Sequence, residues 1–277
     1  MSHRPADDRN RLVKGCKIFL EMGATEAAFG VAVPRLESSG ASAQVQCMCG
    51  RYTLAKGKGE WAFAHIRIEW KGSPRYNIAP SQRAPVIRLE EGLPVVRELR
   101  WGLVPSWAKD VKIGNSLVNA RAETVAEKPS FRSAFKRRRC LVPADGFYEW
   151  QQLGKLKQPW RFVRPDGHPF VFAGLWESWR DPAEPGTEPL ESFTVITTEP
   201  NAVAAPVHDR MPVILDGDGI RRWLEAETDQ KSLAALLRPC PDADLTRYPV
   251  SPLVGSPKND LPRCIEPLPV QMGLDGL

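Results

Sequence analysis

The sequence has too little of several features for a number of broad classes to apply. No uninterrupted apolar run reaches about 18 residues, so there is no candidate membrane-spanning helix and no membrane partner is expected. Six cysteines in 277 residues (Cys16, Cys47, Cys49, Cys140, Cys240 and Cys264) are too sparse for a disulfide framework, which favours a reducing, cytoplasmic setting. Only Cys47 and Cys49 are close together. One intervening residue and no nearby second pair do not match zinc-ligand spacing, so neither a metal nor another cofactor is expected. Histidine is scarcer still, with four in the chain. A formal net charge of +5 spread along 277 residues is compatible with a polyanionic partner but does not demand one. The short apolar stretch 27–33 follows Glu21 and Glu26, where a secretory signal would carry positive charge, so secretion is not expected.

What is present is the balance of an ordinary globular domain, with 26 prolines that exclude long helices and require many loops. Residues 1–48 mix charges without periodicity and end in a Ser/Gly/Ala-rich, linker-like run, so this extension is expected to be poorly ordered. From Cys49 the texture changes to short β-type runs separated by Gly and Pro. Residues 85–89 and 93–99 flank Glu-Glu-Gly and predict a hairpin. A second hairpin is predicted from 160–163 and 169–173 around Pro-Asp-Gly, with a further buried strand at 193–197. Helices are predicted at 61–70, 201–207, 218–227 and 229–237, the third capped by Asp218 with Ile220, Trp223 and Leu224 on one face. The expected fold class is α+β: a single β-rich domain over 49–270 with short flanking helices, many loops and a tail at 271–277.

Six motifs follow one another in order: MCGRYTL (48–54), YNIAPSQ (76–82), WGLVPSW (101–107), NARAE (119–123), RCLVPADGFYEW (139–150) and HDRMP (208–212). Any one alone is weak, whereas the ordered set is specific. Together they resemble the SOS response-associated peptidase (SRAP) family of abasic site processing proteins, in which the residue after an initiator Met becomes an N-terminal Cys. The position of that Cys matters chemically. A free α-amine beside a thiol forms a Schiff base with an aldehyde, and the thiolate then closes on the imine carbon to give a five-membered thiazolidine. A ring-opened abasic deoxyribose presents such an aldehyde, and the resemblance implies this covalent adduct with single-stranded DNA.

The chain departs from the family pattern because 48 residues precede Cys49, whose nitrogen is then an amide that cannot form the ring. Initiation at Met48 followed by Met removal would restore the amine, and so would cleavage before Cys49. The resemblance implies general acid/base work for Glu149, in opening the sugar and moving protons on the imine, and a supporting role for His208 in imine formation or reversal. Asn119 has no titratable proton and is expected to orient the amine or the sugar. Burial among the aromatics of GFYEW would raise the pKa of Glu149, whereas a strand glutamate facing water would do nothing.

For DNA, Arg51, Arg121 and Arg210 lie within the motifs and offer guanidinium forks to phosphate oxygens. Trp101, Trp107 and Trp150 could stack on bases, although core packing is the commoner fate of tryptophan. Asn77, Pro80 and Ser81 belong to a loop that either wedges beside the lesion or is only a turn. The basic run 136–139 reads as a solvated face. Two other functions fit the same residues. One is a cysteine peptidase, with Cys49 as nucleophile, His208 as base and Asn119 or Glu149 orienting, acting on its own bond before Cys49. The other is a single-stranded DNA-binding module without chemistry. A strand-cleaving lyase step and the oligomeric state are open, with a monomer expected.

Overall fold

The computed structural model describes residues 50–269. The extension 1–48, Cys49, the Cys47/Cys49 pair and the tail 271–277 lie outside the described residues. Among the described residues fourteen strands run in chain order: β1 (Arg51–Leu54), β2 (Gly59–Phe63), β3 (Ile66–Trp70), β4 (Arg75–Ile78), β5 (Arg83–Glu90), β6 (Leu93–Trp101), β7 (Asn119–Arg121), β8 (Arg139–Ala144), β9 (Gly146–Leu153), β10 (Leu156–Val163), β11 (Phe170–Trp179), β12 (Leu190–Thr198), β13 (Met211–Pro212) and β14 (Thr246–Pro249). Three short α-helices accompany them, α1 (Arg132–Arg137), α2 (Gly217–Leu224) and α3 (Gln230–Ala235). The β-rich α+β class expected from the sequence is the class observed.

Strand pairing explains how so many short elements hold together. β11, β8, β5, β6 and β12 pair in that order, and β12 pairs back onto β11, so the ladder closes on itself and leaves no open edge within the ring. A second sheet has the order β14-β10-β9-β1-β4. Asp145 alone separates β8 from β9, so one continuous segment passes from the ring into the second sheet, and Asp145 N–H donates to Thr53 O at 3.0 Å. Between the sheets Tyr52 meets Trp101 and Phe172 edge-on, and Phe147 stacks on Phe162 at 4.8 Å between centroids. These rings belong to one large apolar cluster, with two small satellites among the described residues. Each fully buried aromatic of this kind contributes about 2 kcal/mol from apolar area alone.

Several expectations are corrected by the structure. Residues 61–70 form the β2–β3 hairpin, because Trp61 and Phe63, then Ile66, Ile68 and Trp70, are buried at period two. The tight turn between them sets Ala64 at a φ of 53°. Residues 201–207 are turns: Ala205 N–H and His208 N–H each close a five-residue turn, onto Asn201 O and Ala204 O, and Pro206 has no N–H with which to propagate a helix. Residues 160–163 and 169–173 do flank a turn, with Gly167 at φ 67°, but do not form a hairpin. They lie in β10 and β11, which enter different sheets. In α2 the cap is Asp216, which accepts from Gly219 N–H at 2.7 Å, while Asp218 sits in the first turn beside Arg221. The buried face of Ile220, Trp223 and Leu224 is as read, and Asp229 caps α3.

The basic run at 136–139 is only partly a solvated face. Arg139 is buried and donates to Phe135 O and Lys136 O at the end of α1 and to Trp223 O and Glu225 O at the end of α2. One guanidinium thus satisfies the orphan carbonyls of two helix C-termini and pins both to β8.

Candidate functional site

Glu149 is held by its neighbours in β9. Phe147 is locked by stacking on Phe162, and the Tyr148 hydroxyl donates to Tyr76 O at 2.8 Å. Register places Glu149 opposite Trp160 of β10, and only 1% of its surface is exposed. A carboxylate so far from bulk water is costly unless charge or hydrogen bonds compensate it. His208 answers part of that need, with Nε2 3.9 Å from Glu149 Oε2, beyond direct hydrogen bonding but well within electrostatic reach.

The turns of 201–207 deliver His208 to this position. Asn201 Oδ1 accepts from Ala204 N–H at 3.0 Å and its amide donates to Cys240 O at 3.3 Å, which ties the turn to the segment after α3. Beyond the turn, Arg210 N–H donates to His208 Nδ1 at 3.1 Å. That bond requires an unprotonated Nδ1, so the neutral ring carries its proton on Nε2, facing Glu149. Asp209 Oδ1 also lies 3.1 Å from Nδ1.

Arg210 closes the site on the side of β7. It makes a bidentate pair with Glu123 at 2.6 and 2.9 Å and donates to Thr197 O at 2.6 Å. The pair holds the Glu123 carboxyl below its ordinary pKa, chiefly through the hydrogen bonds from Arg210. Thr197 lies opposite both Arg121 of β7 and Pro212 of β13, so β12 gathers the NARAE and HDRMP motifs into one wall. Asn119 is half-buried opposite Val195, and Arg121 is exposed. Arg51 approaches from β1, opposite Tyr148, and donates to Asn77 Oδ1 at 2.9 Å, Val254 O at 2.7 Å and Gly255 O at 3.0 Å.

Two residues named as DNA contacts are core residues. Asn77 is fully buried, and its amide donates to Val254 O, Ser256 O and Asn259 O, clasping the 254–259 loop. Trp101 is 1% exposed and donates to Val118 O at 2.9 Å, so it offers no face to a base. The other expected contacts lie nearer solvent: Ser81 is exposed at φ 70°, Pro80 and Trp150 are half-buried, and Trp107 is 57% exposed. Ser81 N–H donates to Trp101 O at 2.8 Å, which joins the 77–81 loop to the loop that carries Trp107.

Among the described residues Cys140, Cys240 and Cys264 are all buried. Burial pushes the thiol of Cys140 far up and that of Cys240 to about 11, so neither is a thiolate near neutral pH. Among the described residues no group of three or more His, Cys, Asp or Glu side chains is placed to hold a metal ion. No helix there is long and apolar enough to cross a membrane. Glu123 and Asp209 are site residues that sequence reasoning left out. Their signal was only adjacency, Glu123 closing NARAE and Asp209 following His208.

A family model described as SOS response associated peptidase (SRAP) matches residues 48–257. The chain belongs to the SRAP family. It is 44% identical over 225 residues to the abasic site processing protein YoqW of Bacillus subtilis, covering 79% of this chain and 99% of that protein. It is 34% identical over 238 residues to the abasic site processing protein HMCES of Gallus gallus, covering 74% of this chain and 69% of the relative. Among solved structures, a Bacteroides thetaiotaomicron protein superimposes with a TM-score of 0.64 at 29% identity, over 69% of this chain and 84% of that one. A phage-related protein of Bordetella bronchiseptica gives 0.59 at 29% identity, over 77% and 100%. The SRAP match begins one residue before Cys49 and runs through β14, so it takes in Glu149, His208, Asn119, Arg121 and Arg210 together.

Proposed function

We propose that this SRAP protein captures abasic sites in single-stranded DNA covalently, through a Cys49 whose α-amine is free. The observation that carries the reading is buried Glu149 facing half-buried His208, beside the start of β1. Arg51 pairs with Tyr148, the neighbour of Glu149 in β9, and only two peptide links, about 7 Å of chain, separate Arg51 from Cys49. The names of YoqW and HMCES support the substrate, and a family match starting at residue 48 supports a functional start at Cys49. On this reading 49–270 is the working domain and 1–48 is absent from the active form, through initiation at Met48 or cleavage before Cys49.

The proposed chemistry needs proton transfers at defined atoms. The sugar aldehyde and the Cys49 amine lose water to form the imine, and the thiolate then adds to the imine carbon as the nitrogen takes a proton. In this reading Glu149 shuttles these protons, while the Nε2–H of His208 donates to the departing hydroxyl. Asn119 orients the amine or the sugar. Arg121 binds a neighbouring phosphate, with Arg51 and Arg210 bracing the walls and sharing the phosphate's charge. Trp107 and Trp150 stack on flanking bases, and Pro80 and Ser81 line the strand's path. The same residues suit a cysteine peptidase acting on the bond before Cys49, and that single self-cleavage would expose the amine. No second subunit is needed.

The test mixes protein beginning at Cys49 with a single-stranded oligonucleotide carrying an abasic site and resolves the products on a denaturing gel. A shifted, heat-resistant band is expected. The chain beginning at Met1 should give that band only after trimming, which intact-mass spectrometry reads. A fully competent Cys49→Ala protein would end the proposal. DNA held only under native conditions would instead favour a binding module without chemistry.

A further inference from the structure

β9 and β10 continue beyond Glu149 as a hairpin, in register as Glu149–Trp160, Gln151–Gln158 and Leu153–Leu156. Side chains two residues apart share a face, so Leu153 and Leu156 lie on the same face as Glu149. That face is also the one turned toward the site, because Gln151 donates to Pro206 O at 3.0 Å, two residues before His208, and accepts from Trp160 Nε1 at 3.0 Å. At the tip Leu153 is 52% and Leu156 75% exposed, side by side on paired strands with no apolar cover. Lys155 and Lys157 flank them, and 150–163 contains no acidic residue. Two adjacent leucines in water are unfavourable for a small soluble domain, and a basic surround is what a polyanion selects.

We propose that this hairpin tip is a flank-binding element for the DNA strand, with Leu153 and Leu156 abutting bases of the flank some nucleotides away from the lesion and Lys155 and Lys157 on the adjoining phosphates. The inference rests on the abasic-site reading and extends it from the lesion to its neighbours. Bases of a single strand expose their faces, and an apolar pair covers such a face better than water does. Four residues of strand separate Glu149 from Leu153, about 13 Å. At the spacing of a stacked strand that is about four nucleotides from the lesion.

The test uses the full chain and oligonucleotides carrying a tetrahydrofuran abasic analogue, which has no aldehyde, so that binding is read by fluorescence anisotropy without the covalent step. Flanks of two and of eight nucleotides are compared. Leu153→Ser with Leu156→Ser should weaken binding about 10-fold on the long flank and leave the short flank unchanged. Lys155→Gln with Lys157→Gln should lower the slope of log affinity against log salt by about 1.4 on the long flank only. Both pairs are exposed at a turn, so neither change disturbs the core. Losses equal on both flanks, or none, would overturn the inference, as would wild-type binding indifferent to flank length. Hairpin-dependent binding by protein beginning at Cys49, without any adduct at an aldehyde-bearing site, would retain this inference and sink the capture reading alone.

Discussion

Two buried acids lie four residues apart on one continuous segment, and they are held in opposite ways. Asp145, between β8 and β9, accepts from Thr53 Oγ1 at 2.6 Å, Lys56 N–H at 2.9 Å and Arg161 at 3.1 Å. Arg161 in turn donates to the Tyr248 hydroxyl at 2.6 Å. Glu149, buried more deeply still, faces a histidine 3.9 Å away. The first acid is met by three donors that hold it in place, and it braces the turn from the ring into the second sheet. The second meets a group that can itself gain or lose a proton. A buried carboxylate serves structure when its partner is a fixed cation and suits proton transfer when its partner titrates.

The largest effect is expected at the brace. Asp145→Ala leaves the Arg161 guanidinium buried beside an empty acceptor site and should cost about 3–5 kcal/mol in a urea melt. A loss below about 1 kcal/mol would remove the contrast between the two acids. Next comes Glu149→Gln, nearly isosteric, which should barely move the melt yet slow single-turnover adduct formation about 100-fold, near the lower end for general acid/base catalysis. Equal rates for the two proteins across pH would show that both acids are structural. Trp107→Ala should follow, with a loss of about 1–3 kcal/mol in DNA binding and an unchanged melt, since its ring is more than half exposed. If the melt falls instead, the ring packs against protein.

The smallest effect concerns Glu123, whose depressed pKa belongs to the exposed end of the same wall. A carboxyl depressed in the folded state stabilises fully above its ordinary value of 4.5, and the contribution is lost as pH falls through the lower folded value. Glu123→Gln should therefore narrow the stability difference between pH 7 and pH 3 by a fraction of a kcal/mol, the pair being half in water. An unchanged difference would mean that Arg210 is held by Thr197 O alone.

Local signals were legible where one chemical rule dominates. Residues 85–99 read as a hairpin because Glu-Glu-Gly allows only a tight turn there, and Gly92 takes φ 79° in it. The cap of α2 was misassigned because Asp216 and Asp218 both qualify by type and only the backbone at Asp216 is extended. The 61–70 segment was misread because Trp61, Ala64 and Ile68 also fall at helical spacing, and only burial on the sheet makes period two the relevant one. Asn77 and Trp101 were misplaced because motif membership does not distinguish a side chain that touches a ligand from one that anchors the loop presenting it.

Composition and order of motifs alone determined the β-rich class, the lack of a long apolar run and membership of the SRAP family, because these depend on residue type and on short local patterns. The tertiary structure alone decided that β12 unites NARAE with HDRMP, that β10 and β11 part company, and that Glu149 meets His208 across 59 positions of chain. Such contacts arise from sheet register and loop packing among residues far apart in sequence, and no local propensity encodes them.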